Sequence, residues 1–326
     1  MTTESVSGSG STLIPVGISS CLLGEKVRYD GGHKGHSYIT QTLGNYFEFR
    51  AFCPEVSIGL GIPRKPMRLW RNRGNRSSIH CVDAGDISLD YTTALQDCGD
   101  EQKSWQQLLC GYILKKDSPS CGMERVKVWD DVMPVREGIG IYAKRLMKNF
   151  PYLPIEEEGR LGDAILRENF VQRVFVMFRW QKMQQAGLSV SALIDFHARH
   201  KLIVMSHNQN KYRELGQLVA ATTKENLKSN AERYLLVLMQ ALKQRASRGN
   251  HMNVLQHIQG YLKSSLDSED KKELFRIFEK YHRGMVPLIV PITLLNHFFR
   301  KHPNEYIANS WYMQPYPQEL KLQNEI

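Results

Sequence analysis

The apolar positions of the first half fall in short runs separated by turn residues. Leu13 to Ser19 (LIPVGIS) is a continuous apolar run that ends in the turn-like Cys21-Leu22-Leu23-Gly24. Tyr46 to Phe52 (YFEFRAF) alternates aromatic and polar positions and is broken by Pro54. Leu108 to Leu114 (LLCGYIL) is a third buried-strand pattern, closed by Lys115-Lys116-Asp117-Ser118-Pro119. Runs of this length bounded by turn residues predict strands. Helical patterns around Asp90–Leu95 and Gly138–Lys148 fit among them. Strands alternating with helices predict an α/β fold, a Rossmann-like parallel sheet covered on both faces.

The second half changes period. Phe170, Val174, Phe175, Val176 and Phe178 recur at helical spacing, as do Leu235, Leu238, Met239 and Leu242, and then Leu274, Ile277, Phe278 and Tyr281. Asp267-Ser268-Glu269-Asp270 supplies an acidic helix start. This half is expected to be all-α, with Pro287 and Pro291 punctuating its end and Pro315 and Pro317 in an extended tail. The junction falls in 151–167, where Glu156-Glu157-Glu158-Gly159 reads as a loop. The expected organisation is a flexible Ser/Gly leader over 1–12, an α/β domain over 13–155 and a helical domain over 165–326. No internal repeat is evident.

Charge sharpens the division. Residues 1–166 carry 20 basic and 20 acidic side chains, and residues 167–326 carry 23 basic and 13 acidic, so the whole excess of +10 sits in the second half. That asymmetry points to a polyanionic partner, against the plainer reading of a lysine-rich solvated helical surface. No apolar run reaches the ~20 residues that cross a bilayer, and residues 1–12 lack a signal peptide's basic start and apolar core. A cytoplasmic protein without a membrane partner is expected. In that compartment six cysteines favour metal binding, catalysis or burial over disulfides.

Three of the cysteines stand out by context. Cys21, Cys53 and Cys121 each lie just past a predicted strand, in SSCLLGEKVRYDGG, CPEVSIGLGIPR and KKDSPSCG. Ligands of open α/β sheets bind beyond the carboxyl ends of strands, so the three are expected to meet in one crevice. Backbone N–H groups in such loops tune a bound cluster. Three thiolates without an obvious fourth ligand leave a metal position open, as a catalytic site requires. Zinc in the same three-cysteine site is the competing reading. Cys81, Cys98 and Cys110 are read as small buried hydrophobes.

Ile18-Ser19-Ser20-Cys21-Leu22-Leu23-Gly24 with Arg28-Tyr29-Asp30-Gly31, then Cys53-Pro54-Glu55, then Ser118-Pro119-Ser120-Cys121-Gly122 resemble the thiouracil desulfidase (TudS) family. The likeness spans roughly residues 14–150. The second half resembles the YbgA-like domain through Phe196-His197-Ala198-Arg199-His200-Lys201 with Met205-Ser206-His207, through Gln256-His257-Ile258-Gln259-Gly260-Tyr261, through Tyr281-His282-Arg283-Gly284, and through Pro315-Tyr316-Pro317. The fusion is similar to the tRNA 4-thiouridine desulfidase (RudS) arrangement. The resemblance implies a [4Fe-4S] cluster on Cys21, Cys53 and Cys121, and catalytic roles for Glu55 and Ser118. One departure is visible: the acid that often follows Pro-Arg-x-Pro is missing from Arg64-Lys65-Pro66-Met67-Arg68-Leu69-Trp70. Its loss favours a polyanionic substrate over a free base.

The chemistry suits such residues. Exchanging C=S for C=O needs water at the ring carbon and departure of sulfur, with no net electron transfer. An open iron is a soft Lewis acid for that sulfur, and Glu55, two residues after a ligand, is tied close enough to act as general base. Ser118 would orient the water or protonate the ring. The bland alternatives are a surface carboxylate and a turn cap. Arg64, Lys65, Arg68, Arg71, Arg73 and Arg76 form an acid-free basic run around Trp70, suited to phosphates and base stacking. With His200 and Lys201 they are the candidate nucleic-acid contacts. His197, His200 and His207 lie at helical spacings but lack the carboxylate of an HExxH metal site. The expected activity is a tRNA desulfidase converting 4-thiouridine to uridine, with thiolated tRNA as partner and no DNA. A free-thiouracil desulfidase and a non-enzymatic iron–sulfur RNA sensor are the rivals.

Overall fold

A computed structural model describes residues 13–72, 78–130 and 133–324. The chain forms two compact units that divide between Asn149 and Phe150. Counted at that boundary the charge split is milder, 19 basic against 16 acidic side chains before it and 24 against 17 after it.

In the first unit, β1 (Ile14–Ser19) lies between β2 (Phe47–Phe52) and a later strand, β5 (Gly111–Leu114), and is parallel to both. All three predicted strands are therefore present. The third begins at Gly111 because Leu108 and Leu109 close the helical turn that precedes it. Burial explains the continuous apolar pattern: β5 is buried at every position and β1 at all but Pro15. Gly17 is required at the sheet centre, since a Cβ there would lie 2.4 Å from the Tyr112 ring.

A second sheet was not anticipated. Its order is β4 (His80–Asp83), β3 (Met67–Trp70), β6 (Val126–Trp129) and β7 (Val135–Gly138), with β3 parallel to β6 and the outer pairs antiparallel. Four-residue strands are too short for a periodic signal, and the pairing of β3 with β6 is long-range. The inner face carries Leu69, Cys81, Val126 and Val128, packed with Leu95 and Ile141. Leu95 belongs to α2 (Thr92–Glu101), and Ile141 opens α4 (Ile141–Asn149); the short helices α1 (Pro54–Ser57) and α3 (Lys103–Gln106) complete the unit.

The second unit begins with a strand, β8 (Ile155–Glu157), where a loop was expected. Glu156, Glu157 and Glu158 are buried, not solvated. Arg160 donates to Glu156 at 2.6 Å and Arg173 lies within 4.0 Å of it, which is what allows a carboxylate there. Among the described residues eight α-helices follow: α5 (Ala164–Gly187), α6 (Val190–His207), α7 (Gln209–Ala220), α8 (Leu227–Lys243), α9 (Arg248–Gly260), α10 (Ser268–His282), α11 (Ile289–Lys301) and α12 (Glu305–Ala308). The three predicted stripes lie on α5, α8 and α10. Side chains of Asp163, Ser189, Asn208, Ser247, Asp267 and Asn304 accept from backbone N–H groups in the first turns they precede. Pro287 and Pro291 do not end the unit. Pro291 sits in the first turn of α11, where a missing N–H leaves no intrahelical bond unmade.

Histidines are packed into this helical core. His207 and His251 are held down to about 4 and about 3 by burial, and His197 to about 4 by burial and then by Lys201. Each folded value lies below the ordinary 6.5, so as pH falls the unfolded chain takes up protons first. Stability is then complete above pH 6.5 and declines below it, by roughly 2 kcal/mol per histidine at pH 5. Urea unfolding followed by circular dichroism at pH 7.5 and pH 5 measures this, and a pH-independent midpoint would refute it.

Candidate active site

The three exits of the parallel sheet build one crevice. After β1 the chain turns through Ser20–Leu23, which holds Cys21, and leaves it at Gly24 with φ 96°, a left-handed conformation that favours glycine. Cys53 follows β2 directly and precedes α1, which starts on Pro54 and carries Glu55 in its only turn. Cys121 ends the loop after β5. There Gly122 donates to the Ser118 carbonyl at 2.8 Å, and Gly140 donates to the Gly122 carbonyl at 2.8 Å. A Cβ on Gly122 would meet Val126 at 2.3 Å, and one on Gly140 would meet the Ser120 carbonyl at 2.5 Å. Both glycines let the cysteine loop seat against its neighbours.

Cys21, Cys53, Glu55, Ser118 and Cys121 line a single cavity of about 400 Å³. All the cluster and catalytic candidates therefore meet. Cys81, Cys98 and Cys110 are buried elsewhere, and Cys81 packs its sulfur 3.9 Å from that of Met67. No described histidine or fourth cysteine lines the cavity. Among the described residues, no group of three or more His, Cys, Asp or Glu side chains is arranged to hold a single metal ion. Three cysteine side chains lining one cavity supply the soft thiolate donors that an iron–sulfur cluster uses. Burial pushes the Cys53 thiol up, opposed by the backbone N–H of Val56 and reinforced by the Glu55 charge. Cys121 is pushed up further by burial and by Cys53. Soft cations bound at sulfur would offset that cost.

Glu55 is fixed from both sides. Arg64 donates from Nε and Nη2 to its Oε2 at 3.0 and 2.5 Å, and Ser120 donates from Oγ to its Oε1 at 2.6 Å. Ser118 Oγ lies 2.9 Å from Ser120 Oγ and accepts from the Cys121 N–H at 3.1 Å. An ionised carboxylate only accepts, so the Ser120 proton points at Glu55 and the Ser118 hydroxyl donates to Ser120. Ser118 is thus both the turn cap of the Cys121 loop and the outer member of a hydroxyl chain. Ser120 is a member the sequence reading missed, although it lay inside the quoted motif.

The basic run is divided by the strand it forms. Arg64 is not a phosphate contact: its guanidinium is engaged by Glu55 and by the Gly61 and Val27 carbonyls. Lys65 is exposed. Arg68 and Trp70 alternate with buried Leu69 on β3, and Arg71 pairs with Glu137. Arg73 and Arg76 lie outside the described residues. In the helical unit His200 is 1% exposed, so it is not a surface contact, whereas Lys201 holds its ammonium 4.5 Å from the Tyr306 ring centre. The sequence reading also missed cations of the crevice rim. Arg28, Lys34, Lys115 and Lys116 line it, while its two carboxylates, Glu55 and Asp117, are each paired to an arginine.

An α/β domain whose crevice is lined by three strand-end cysteines and a clamped carboxylate has the donor set of a cysteine-based active site, and a helical part follows it in the chain. Residues 16–158 match the family described as 2-thiouracil desulfurase, and residues 201–317 match a family described as a protein of unknown function, DUF1722. The chain is 30% identical over 153 residues to the uncharacterized protein YbgA of Escherichia coli (strain K12), covering 47% of this chain and 90% of that protein. A solved structure titled [4Fe-4S]-dependent thiouracil desulfidase TudS is 29% identical, covering 46% of this chain and 94% of that one, with a TM-score of 0.37. The chain belongs to the YbgA-like family through its helical part, joined to a domain of the 2-thiouracil desulfurase family. Among the described residues no helix is long and apolar enough to cross a membrane.

Two ion pairs of unequal burial give a test of the site's rigidity. Arg64 and Glu55 side chains are 7% and 15% exposed, whereas Arg136 and Asp117 are 46% and 50% exposed. Arg64→Gln strands a charge in the crevice and is expected to cost about 3 kcal/mol. Arg136→Gln is expected to cost less than about 1 kcal/mol. Chemical denaturation of both variants reads the difference, and equal losses would show that the buried pair has no special standing.

Proposed function

We propose that the protein removes sulfur from a thiolated uracil ring carried by tRNA, 4-thiouridine being the intended base, and returns the ring carbonyl. The observation that carries this is the single cavity shared by three cysteines, Glu55 and Ser118, in a domain of the 2-thiouracil desulfurase family. Cys21, Cys53 and Cys121 would hold a [4Fe-4S] cluster. When bound, it supplies an iron without a protein ligand, a soft Lewis acid for the thiocarbonyl sulfur.

The remaining chemistry falls to the chain. Water adds its oxygen to the ring carbon, the C–S bond breaks, and sulfur leaves as sulfide that takes up the water protons, so no oxidant or reductant is consumed. Glu55 keeps an acceptor site beside the three hydrogen bonds it already receives, and takes the first proton. Arg64 holds the carboxylate in place, and the Ser118–Ser120 hydroxyl chain returns a proton toward the cavity. The cationic rim favours a phosphate-bearing substrate and an anionic product.

The second sheet supports an RNA substrate. Register places Trp70 beside Trp129 and His80, and Arg136 beside Lys127. With Arg68, whose guanidinium lies 5.8 Å from the Trp129 ring centre, these side chains share the face opposite the apolar core. Aromatic rings interleaved with cations are the usual platform for single-stranded bases. Arg136 also pairs with Asp117 of the crevice at 2.8 Å, so the platform adjoins the cavity. Free 2-thiouracil is a second substrate reading, favoured by the base-sized cavity.

Two experiments test this. Glu55→Gln is expected to keep the visible iron–sulfur absorbance of anaerobically purified protein and to lose sulfide release by at least ~100-fold; full activity would remove Glu55 from the mechanism. Lys127→Ala with Trp129→Ala is expected to lower turnover of thiolated tRNA by roughly tenfold or more while sparing 2-thiouracil. An equal effect on both substrates would sink the platform, and turnover of the free base alone would sink the tRNA reading.

A further inference from the structure

The second sheet carries a serine, a histidine and an aspartate in line, none of them lining the crevice. Ser78 Oγ lies 2.6 Å from His80 Nε2, and His80 Nδ1 lies 2.7 Å from Asp90 Oδ2. Both distances fall in the range of a nucleophile held by a base and a base held by a third group. The backbone fixes two of the three. His80 opens β4 opposite Trp70 of β3, and Asp90 bridges to Val82 of the same β4. Tyr91 then donates to the Cys81 carbonyl at 2.8 Å, and Thr92 Oγ1 accepts from the Cys81 N–H at 2.8 Å. The array is open to reagents: the His80 and Asp90 side chains are 37% and 40% exposed, and Ser78 is half-buried.

The proton positions follow from the acceptors. Asp90 Oδ1 accepts from the Thr92 N–H at 2.8 Å, which caps the start of α2. Burial would raise this carboxyl, but hydrogen bonds from Thr92 and then from His80 hold it below its ordinary range, so it is ionised at neutral pH. An ionised carboxylate only accepts, so Nδ1 carries the imidazole hydrogen, and the neutral ring turns Nε2 to Ser78 as an acceptor. The Ser78 hydroxyl then donates to Nε2. Capping α2 uses Oδ1 alone. It does not require the second oxygen, the imidazole and the hydroxyl in succession.

We infer that Ser78 is a nucleophile, with His80 as its general base and Asp90 as the residue that positions His80, and that this array cleaves carboxylic esters. Ser78 Oγ bonds to the ester carbonyl carbon as its proton passes to His80 Nε2. The C–O bond to the alcohol breaks, the alcohol takes that proton, and an acyl group remains on Ser78. Water then adds to the acyl carbon, and its proton passes through His80 to Ser78 Oγ as that oxygen leaves. One ester and one water yield one acid and one alcohol, with no oxidant or reductant. Solvent weakens the electrostatics of an exposed array, which favours an ester, whose alcohol leaves readily, over an amide. Trp70, the strand partner of His80, offers a ring to an aryl alcohol. This inference stands apart from the desulfidation reading, because it uses neither the cysteines nor Glu55.

The test treats the full chain with a fluorophosphonate, which phosphonylates activated serines, and with p-nitrophenyl acetate as the ester. Intact mass and peptide mapping are expected to show a phosphonyl group on Ser78, and p-nitrophenol is expected to be released above the uncatalysed rate. Ser78→Ala and His80→Ala should lower that release roughly tenfold or more. Asp90→Asn keeps the bond from Thr92 to Oδ1 but turns an amide N–H toward His80 Nδ1, so the ring hydrogen moves to Nε2. ¹⁵N spectra of the His80 ring, assigned by its loss in His80→Ala, are expected to show that change of tautomer, with phosphonylation slowed roughly tenfold or more. A merely structural pair would leave the phosphonylation rate unmoved. Should His80→Ala fail to fold, His80→Gln takes its place. No phosphonyl group on Ser78, no ester cleavage above the uncatalysed rate, cleavage undiminished in Ser78→Ala, or unchanged rates in the folded His80 and Asp90 variants would overturn the inference.

Discussion

Parallel pairing of β1 with β2 on one side and β5 on the other puts three chain exits on the same edge of one sheet. Parallel strands all run out at the same end, so whatever each exit loop carries is gathered there. Here the loops carry Cys21, Cys53 and Cys121, spread over a hundred residues of chain. The centre of the sheet is kept tight by Gly17 under Tyr112, and the Cys121 loop by Gly122 and Gly140. The crevice follows from this arrangement, and the proposed chemistry follows from the crevice.

Within it, electrostatics decides which groups are available. Glu55 would be costly so far out of water without a partner, and Arg64 supplies one while Ser120 satisfies the other oxygen. The same pairing removes Arg64 from the set of phosphate contacts. The rim cations Arg28, Lys34, Lys115 and Lys116, together with the platform of Arg68, Trp70, Lys127 and Trp129, take over that role in the proposed tRNA reading.

The helical unit shows the opposite use of polar groups. Its histidines are packed against aromatic rings, as where His200 stacks on Phe196 at 4.0 Å and Phe196 meets Trp180 at 5.2 Å. His207 and His251 find partners in Gln244, Gln172 and Tyr312. Arg179 Nη1 and His200 Nε2 do not.

Local pattern alone was enough to read β1, β2 and β5, the helical stripes of the second half and the strand-end position of the cysteines. Each of these depends on burial or turn chemistry over a few residues. The second sheet was not legible, because its four-residue strands derive their stability from pairing across long stretches of chain. For the same reason the basic run around Trp70 looked like one surface until strand alternation turned Leu69 inward, and the ion pair with Glu55 drew Arg64 into the crevice. Ser120, the buried glutamates 156–158 and the enclosed His200 belong with these. Residue type and spacing name the groups able to do chemistry, but burial and partners fix whether each one does, and only the tertiary structure sets those.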